Sequence, residues 1–193
     1  MFERRLAGAA LLVLAAACGG STDPGDGGTP GDQLHFLRPA ADAPALVSSS
    51  VTFWAYRDRD SQGVIWYHKR ADQSDSSEFV EFRVPSQSIA QDSVQITMTV
   101  VDPTRLVVEF QPSGLQFASD RPARLKLKYA EADADLNDDG IVNATDAALK
   151  ALLSIWRQEQ PGDPWVKVPS TSVTLDDDVE ADIFGFTRYA IAY

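Results

Sequence analysis

The sequence is poor in the side chains that most often build catalytic centres. Its 193 residues include one cysteine, Cys18, and two histidines, His35 and His68. A single cysteine excludes an intramolecular disulfide, and so few Cys and His residues exclude a tetrahedral zinc site. The sequence contains no nucleophile elbow, HExxH motif, phosphate-binding loop or dinucleotide fingerprint. It therefore predicts a protein that is not an enzyme.

Positive charge is also scarce. The chain has 17 Lys and Arg residues against 28 Asp and Glu residues, a formal net charge of -11. Such a surface repels phosphate backbones, so we expect no nucleic-acid partner. Cations remain compatible partners. The hydrophobic fraction of 44% is enough for a core, and the length allows one large or two small domains.

An export signal is predicted at the N-terminus. Two arginines precede a short apolar run, Leu6 to Leu14, which cannot span a bilayer as a helix. Three alanines and Cys18 follow, and this arrangement resembles the lipobox of bacterial lipoproteins, although Ala15 stands where leucine is usual. The resemblance implies a signal peptide at residues 1-17, cleavage before Cys18 and acylation of that cysteine. An ordinary secretory signal is the alternative.

The lipobox resemblance also predicts a location. Gly19 follows the cysteine instead of the aspartate that marks inner-membrane retention in enterobacteria. We therefore expect an outer-membrane lipoprotein of the cell envelope, anchored to the membrane through Cys18. Residues 18-33 are rich in Gly, Pro and Asp and predict a disordered tether, so the folded domain is expected to span residues 34-193.

The body of the chain predicts short strands separated by turns. The predicted strands are 51-56, 64-68, 79-84, 93-100, 105-110, 125-129, 165-168, 172-175, 179-183 and 189-193. The first two, joined by a polar turn, predict a hairpin. In the strand 93-100, Val94, Ile96, Met98 and Val100 fall on one face. This pattern favours an all-β fold, an Ig-like antiparallel β-sandwich.

Part of this region resembles the ZU-five domain. The stretch Phe110 to Phe117, with Arg121 to Leu125 after it, is similar to that family's "PSGxxF…kPaxL" core. Phe186 to Ala190 is similar to its closing "HFSxYA" motif, with Gly185 in place of the usual histidine. The resemblance covers roughly residues 78-193. It implies a β-sandwich that binds other proteins or packs domains together, without catalysis.

Residues 135-146 carry a calcium-loop pattern, which predicts one bound calcium ion. Side-chain oxygens recur at the positions that ligate calcium in an EF-hand, a glycine stands at position 6 and a carboxylate closes the loop. The predicted ligands are Asp135, Asn137, Asp139, the carbonyl of Ile141, Asn143 and Asp146. Gly140 permits the tight turn, and Val142 is expected to point into the core.

The closing Asp146, with the sequence around it, resembles the dockerin loop "DxNxDGxVNxxD". Dockerins carry two such loops, and this chain shows one. A short helix is predicted to leave the loop, so the insertion spans residues 131-153. Residues 154-159 fit either a strand or a continuation of that helix.

Two classes of function remain open. The first is a lipid-anchored structural or adhesive module that binds a protein. The second is a dockerin-like or carbohydrate-binding accessory of a polysaccharide-processing system, with a protein or glycan partner. Four tryptophans bear on this choice: Trp54, Trp66, Trp156 and Trp165. They either pack in the core or on a hairpin, which is the commoner use, or form a carbohydrate platform.

Overall fold

The structure is a computed structural model that describes residues 27-71, 76-173 and 176-193. These residues form eleven strands, one α-helix and a short 3-10 helix at Gly31–Gln33. The strands are β1 (Ser50–Tyr56), β2 (Ser61–Trp66), β3 (Glu78–Val84), β4 (Ser93–Asp102), β5 (Val107–Gln111), β6 (Ala123–Lys128), β7 (Ser154–Gln158), β8 (Val166–Lys167), β9 (Ser170–Val173), β10 (Asp178–Ile183) and β11 (Arg188–Ala192). The helix α1 spans Ala144–Lys150.

The strands form two antiparallel sheets. The first has the order β1-β4-β5-β11-β7-β8, and the second has the order β2-β3-β6-β10-β9. Every strand pair is antiparallel. The all-β antiparallel sandwich with one short helix is thereby confirmed.

The core lies between the inner faces of the two sheets. In β4 the residues Ile96, Met98 and Val100 are buried and alternate with more exposed neighbours, as the period of two predicts. Phe82 is completely buried, and its ring lies 4.7 Å from that of Phe110 and 5.5 Å from that of Phe186. Aromatic rings from both sheets therefore meet at one point of the core.

The predicted hairpin of the first two strands is wrong. β1 pairs with β4 in the first sheet, whereas β2 pairs with β3 in the second. The turn between them carries the chain across the sandwich, so that the Phe53 ring lies on the backbone of Gly63. A Cβ atom at Gly63 would come within 2.4 Å of that ring. Each strand has its own apolar face, and opposite sheets bury both faces at once.

The folded part of the chain begins before the predicted boundary at Leu34. The N–H of Thr29 donates to the carbonyl of Trp165 at 2.7 Å, and the N–H of Trp165 donates to the carbonyl of Thr29 at 2.8 Å. Further along, Leu37 donates to the carbonyl of Ile191 at 3.0 Å. Thr29, which falls in the predicted tether, therefore pairs with the sandwich, and the tether prediction is wrong at that residue. These contacts are made by the backbone, which a Gly/Pro-rich composition does not reveal.

The insertion connects the two sheets. β6 lies in the second sheet and β7 in the first, with the calcium-loop sequence and α1 between them. Residues 154-158 are a strand, paired with β11 from Ser154 opposite Ala192 to Gln158 opposite Arg188. This decides between the strand and helix alternatives, because the sheet offers a partner for every residue of the segment.

Candidate metal centre

The start of the insertion is attached to distant parts of the chain. Glu131 is buried, and its carboxylate accepts hydrogen bonds from the Arg70 guanidinium at 2.6 Å and from the Ser77 hydroxyl at 3.1 Å. Two residues on, the N–H of Asp133 donates to the carbonyl of Arg38 at 2.8 Å. The hydroxyl of the last residue, Tyr193, donates to the carbonyl of Leu136. The loop is thus fixed against both the N-terminal segment and the C-terminal strand.

The first half of the loop is organised by short polar side chains. One carboxylate oxygen of Asp135 accepts the N–H of Gly140 at 2.7 Å, and the other accepts the N–H of Asp139 at 3.2 Å. Asp139 in turn accepts the N–H of Ile141 at 2.8 Å. Gly140 has a φ of +83°, the left-handed region that glycine enters without strain. The glycine is therefore where the sequence predicts the tight turn.

The second half of the loop is a helix cap. The side chain of Asn143 accepts the N–H of Thr145 at 2.7 Å, and Asp146 accepts the N–H of Asn143 at 2.8 Å, which completes a capping box on α1. Asp146 is buried, and its other oxygen accepts the N–H of Leu136 at 2.8 Å. The hydrogen bond from Asn143, together with those from Leu136 and Asn137, lowers the pKa of Asp146.

The predicted ligands lie on one loop, and three of them are carboxylates: Asp135, Asp139 and Asp146. Over residues 27-71, 76-173 and 176-193, no three His, Cys, Asp or Glu side chains are grouped so that they could hold a metal ion. Backbone N–H groups use the carboxylate oxygens instead, and the carbonyl of Ile141 accepts the side-chain amide of Asn143 at 2.9 Å. The donor set of carboxylates, amides and a carbonyl is nevertheless what calcium requires. Calcium binding stays a prediction.

The predicted burial of Val142 is wrong. Val142 and its neighbour Ile141 are each 65% exposed. Residues 137-145 are all exposed, so this part of the loop projects away from the sheets. Within the described chain, no second loop covers the pair. The pattern of the loop determines its turn but not what packs against it.

Sequence reasoning missed a cation beside the loop. The Arg38 guanidinium donates a hydrogen bond to the carboxylate of Asp138 and lies 3.9 Å from that of Asp133. The bond to Asp138, with the charges around it, raises the pKa of Arg38. No local signal marks this pairing, because Arg38 and Asp138 are 100 residues apart. The arginine offsets part of the negative charge that the loop concentrates.

A wide cleft of about 1450 Å³ opens beside the ends of β5, β7 and β10. Its lining contains two ion pairs between strands: the Arg188 guanidinium lies 2.7 Å from Glu109, and Arg124 lies 3.7 Å from Asp182. The described residues that line it include no histidine or cysteine. Its lining mixes charged, amide, aliphatic and aromatic side chains.

The four tryptophans differ in exposure. Trp165 is 4% exposed and packs in a small cluster with Val107 and Ala190. Trp156 is half-buried, and its indole N–H donates to the carbonyl of Ala192 at 3.1 Å. Trp54 and Trp66 are 51% and 39% exposed. The packing interpretation is therefore correct for the two C-terminal tryptophans only.

The predicted lipidation site, Cys18, and the signal peptide lie outside the described residues. Within the described ranges, the structure has no helix that is both long and apolar enough to cross a membrane. Comparison with known proteins finds no family model, no curated protein and no solved structure that matches the chain. The lipobox, ZU-five and dockerin resemblances therefore stay predictions.

Proposed function

We propose that this protein is a lipid-anchored component of the bacterial cell envelope, exposed outside the cytoplasm as an outer-membrane lipoprotein. Its sandwich is a non-catalytic binding or structural module, and its inserted loop is a structural calcium site. The support for the anchor comes from the sequence, in which the chain's one cysteine follows a short apolar segment and three alanines. Acylation at Cys18 would hold the sandwich close to the membrane surface.

The observation that best supports a structural role for the loop is the position of Asp146. Its carboxylate links the N-terminus of α1 to Leu136 at the loop's beginning, and Tyr193 links Leu136 to the end of the chain. A calcium ion would be held by Asp135, Asn137, Asp139, the carbonyl of Ile141, Asn143 and Asp146. Bound there, calcium supplies positive charge that offsets the repulsion among the loop's carboxylates.

Calcium titration of the full chain in detergent tests this proposal. We expect one ion per chain with an affinity of roughly 10⁻⁴ to 10⁻³ M, as in other extracellular modules. At a hundredfold excess over the dissociation constant, calcium then stabilises the fold by about 2.7 kcal/mol. Thermal unfolding with calcium and with EDTA measures that difference.

Matched variants make the calcium test specific. Asp135→Asn keeps one acceptor for the loop's N–H groups but removes a ligand charge, so binding should weaken strongly. Asp120→Ala removes an exposed aspartate outside the loop and should bind as the native chain does. The proposed calcium site is refuted if the native chain takes up no calcium and unfolds at the same temperature in EDTA.

The anchor has an independent test. The native chain, expressed in a Gram-negative bacterium and labelled with a radioactive fatty acid, should carry label and sediment with the outer membrane. Cys18→Ser should abolish the label. Unlabelled native protein in the soluble fraction would leave the ordinary secretory signal as the correct alternative.

A carbohydrate-binding accessory of a polysaccharide-processing system is the second candidate. One observation favours it over a purely structural module: the indole of Trp54 is 51% exposed on a regular strand. The apolar face of a sugar ring can stack on an indole exposed in this way.

A further inference from the structure

We propose that the outer face of β1, β4 and β5 binds a neutral polysaccharide chain. The proposed binding surface is made of six side chains of this face, which we call the outer-face patch: Thr52, Trp54, Gln95, Thr97, Thr99 and Gln111. This inference rests on the proposed location outside the cytoplasm and assigns a ligand class to the second candidate function.

Strand register places these side chains beside one another. Trp54 lies opposite Gln95, and Thr52 lies opposite Thr97. Thr97 also lies opposite Gln111 on its other side. Neighbouring strands are about 4.8 Å apart and alternate residues along a strand about 6.7 Å apart. The six side chains therefore form one continuous surface.

The same alternation leaves the patch facing away from the core. Between its members, Ile96, Met98 and Phe110 point inward and are buried. The members at the edges of the patch are exposed, namely Thr52, Trp54, Gln95 and Gln111. Part of the outer face, around Ala190 of β11, is covered, since Leu34 and Phe36 pack on the cluster that contains Trp165. The β1-β4 side presents the most exposed indole of this sheet, that of Trp54.

The absence of charged side chains in the patch favours an uncharged ligand. No member of the patch carries a charge, in a chain whose net charge is -11. The nearest charged neighbour in the same register is Glu109, opposite Thr99, and the guanidinium of Arg188 lies 2.7 Å from its carboxylate. An anionic polymer would be repelled by the protein as a whole, whereas a neutral polymer is not.

The chemistry of the patch matches that of a sugar ring. A pyranose has an apolar C–H face, which the exposed indole of Trp54 can stack against, and an edge of hydroxyl groups. Thr and Gln side chains are donors and acceptors at once. The hydroxyls of Thr52 and Thr97 lie 2.8 Å apart, and one bond between them leaves further hydrogen-bonding capacity on both.

A protein partner fits the patch less well. The centre of a protein interface is apolar and rich in aromatic residues, whereas five of the six members here are hydroxyls or amides. Burying these groups is unfavourable unless each finds a hydrogen-bond partner, and a polyhydroxylated chain supplies many. Gln111 also lines the wide cleft, so an extended polymer has room to continue beyond the patch.

Affinity electrophoresis of the full chain tests the proposal, in a detergent without a sugar headgroup. The gels contain one soluble neutral polysaccharide each: dextran, pullulan, xyloglucan, galactomannan or β-1,3-glucan. We expect at least one polymer to retard the native chain. Trp54→Ala should weaken that binding by about tenfold, since loss of aromatic stacking is of this order. Thr97→Val removes one hydroxyl at nearly constant shape and should weaken it by less.

Trp66→Ala is the matched control, because Trp66 is also exposed but lies on β2 in the other sheet. It should bind as the native chain does. Circular dichroism and thermal unfolding establish that each variant is folded. Absence of retardation by every polymer overturns the proposal, and so does equal weakening by Trp54→Ala and Trp66→Ala. The calcium titration and fatty-acid labelling use no sugar, so they can succeed where this experiment fails.

Discussion

The carboxylate of Asp146 accepts the backbone N–H of Leu136 at 2.8 Å, although the two residues are ten positions apart. The same side chain accepts the N–H of Asn143 and caps the helix that follows. One buried carboxylate thus joins the beginning of the loop to the end of it. The loop is closed by protein groups at the residue that the sequence predicts as its last calcium ligand.

Replacement of Asp146 by alanine should destabilise the protein even in EDTA. The substitution leaves the N–H of the partly buried Leu136 without its acceptor and removes the Asp146 half of the capping box on α1, and each loss is unfavourable. We expect the midpoint of thermal unfolding to fall by several degrees, measured by circular dichroism on the full chain.

Asp146→Asn separates the two roles of this side chain. Asparagine keeps one acceptor oxygen, so the loss of stability in EDTA should be smaller than for Asp146→Ala. The stabilisation by calcium should nevertheless be lost, because the closing carboxylate is gone. Equal stability of all three proteins in EDTA would show that the capping contacts are unimportant.

Truncation of Phe82 should cost much more stability than truncation of Phe184. The Phe82 ring is fully buried against Phe110, Phe117 and Phe186, and Phe82→Ala should reduce the free energy of unfolding by about 3-5 kcal/mol. Phe184 is 51% exposed, so Phe184→Ala should reduce it by less than about 1 kcal/mol. Urea unfolding of both variants measures the difference. Similar losses would contradict the placement of Phe82 in the core and of Phe184 at the surface.

The fold should lose stability in alkali as buried tyrosines ionise. Burial raises the pKa of Tyr189 to about 12, and its hydroxyl donates to the carbonyl of Gly185 at 2.6 Å. Unfolded tyrosine titrates near 10. Because the folded pKa is higher, this contribution is fully present below about pH 10 and is lost as the pH rises towards 12.

Urea unfolding at pH 8, 10 and 11 measures this loss. Burial also raises the pKa of Tyr67 to about 12, so the two residues should contribute together. Tyr189→Phe should be less stable than the native chain at pH 8, because it lacks the hydrogen bond, but should lose less stability between pH 10 and 11. If the variant lost as much free energy of unfolding between pH 10 and 11 as the native chain does, ionisation of Tyr189 would not be the cause.

The strands were largely predictable because their signal is local. In β4 the alternation of Ile96, Met98 and Val100 with polar residues identifies a strand with one buried face. The same is true of the loop, where Gly140 and the Asp side chains organise turns over two to five residues. Such patterns depend on the backbone geometry of neighbouring residues, which the sequence specifies directly.

Partners distant along the chain were not predictable. Sequence adjacency suggested that β1 and β2 pair, but the Phe53 ring packs on Gly63 across the sandwich instead. Arg38 reaches Asp138 over 100 residues, and Val142 is exposed where a buried position was predicted. Both of these contacts, and the exposure of Val142, depend on which surfaces the two sheets bring together.

The sequence by itself determined the β-rich composition of the fold, the positions of most strands, and the turn and closing carboxylate of the loop, since these follow from local periodicity and backbone preference. Only the tertiary structure decided that Thr29 pairs with Trp165, that Asp146 links both ends of the loop, and that Trp54 stands exposed beside Thr52 and Gln95. Those relationships depend on strand order and register, which arise from burial of the whole core and not from any one segment.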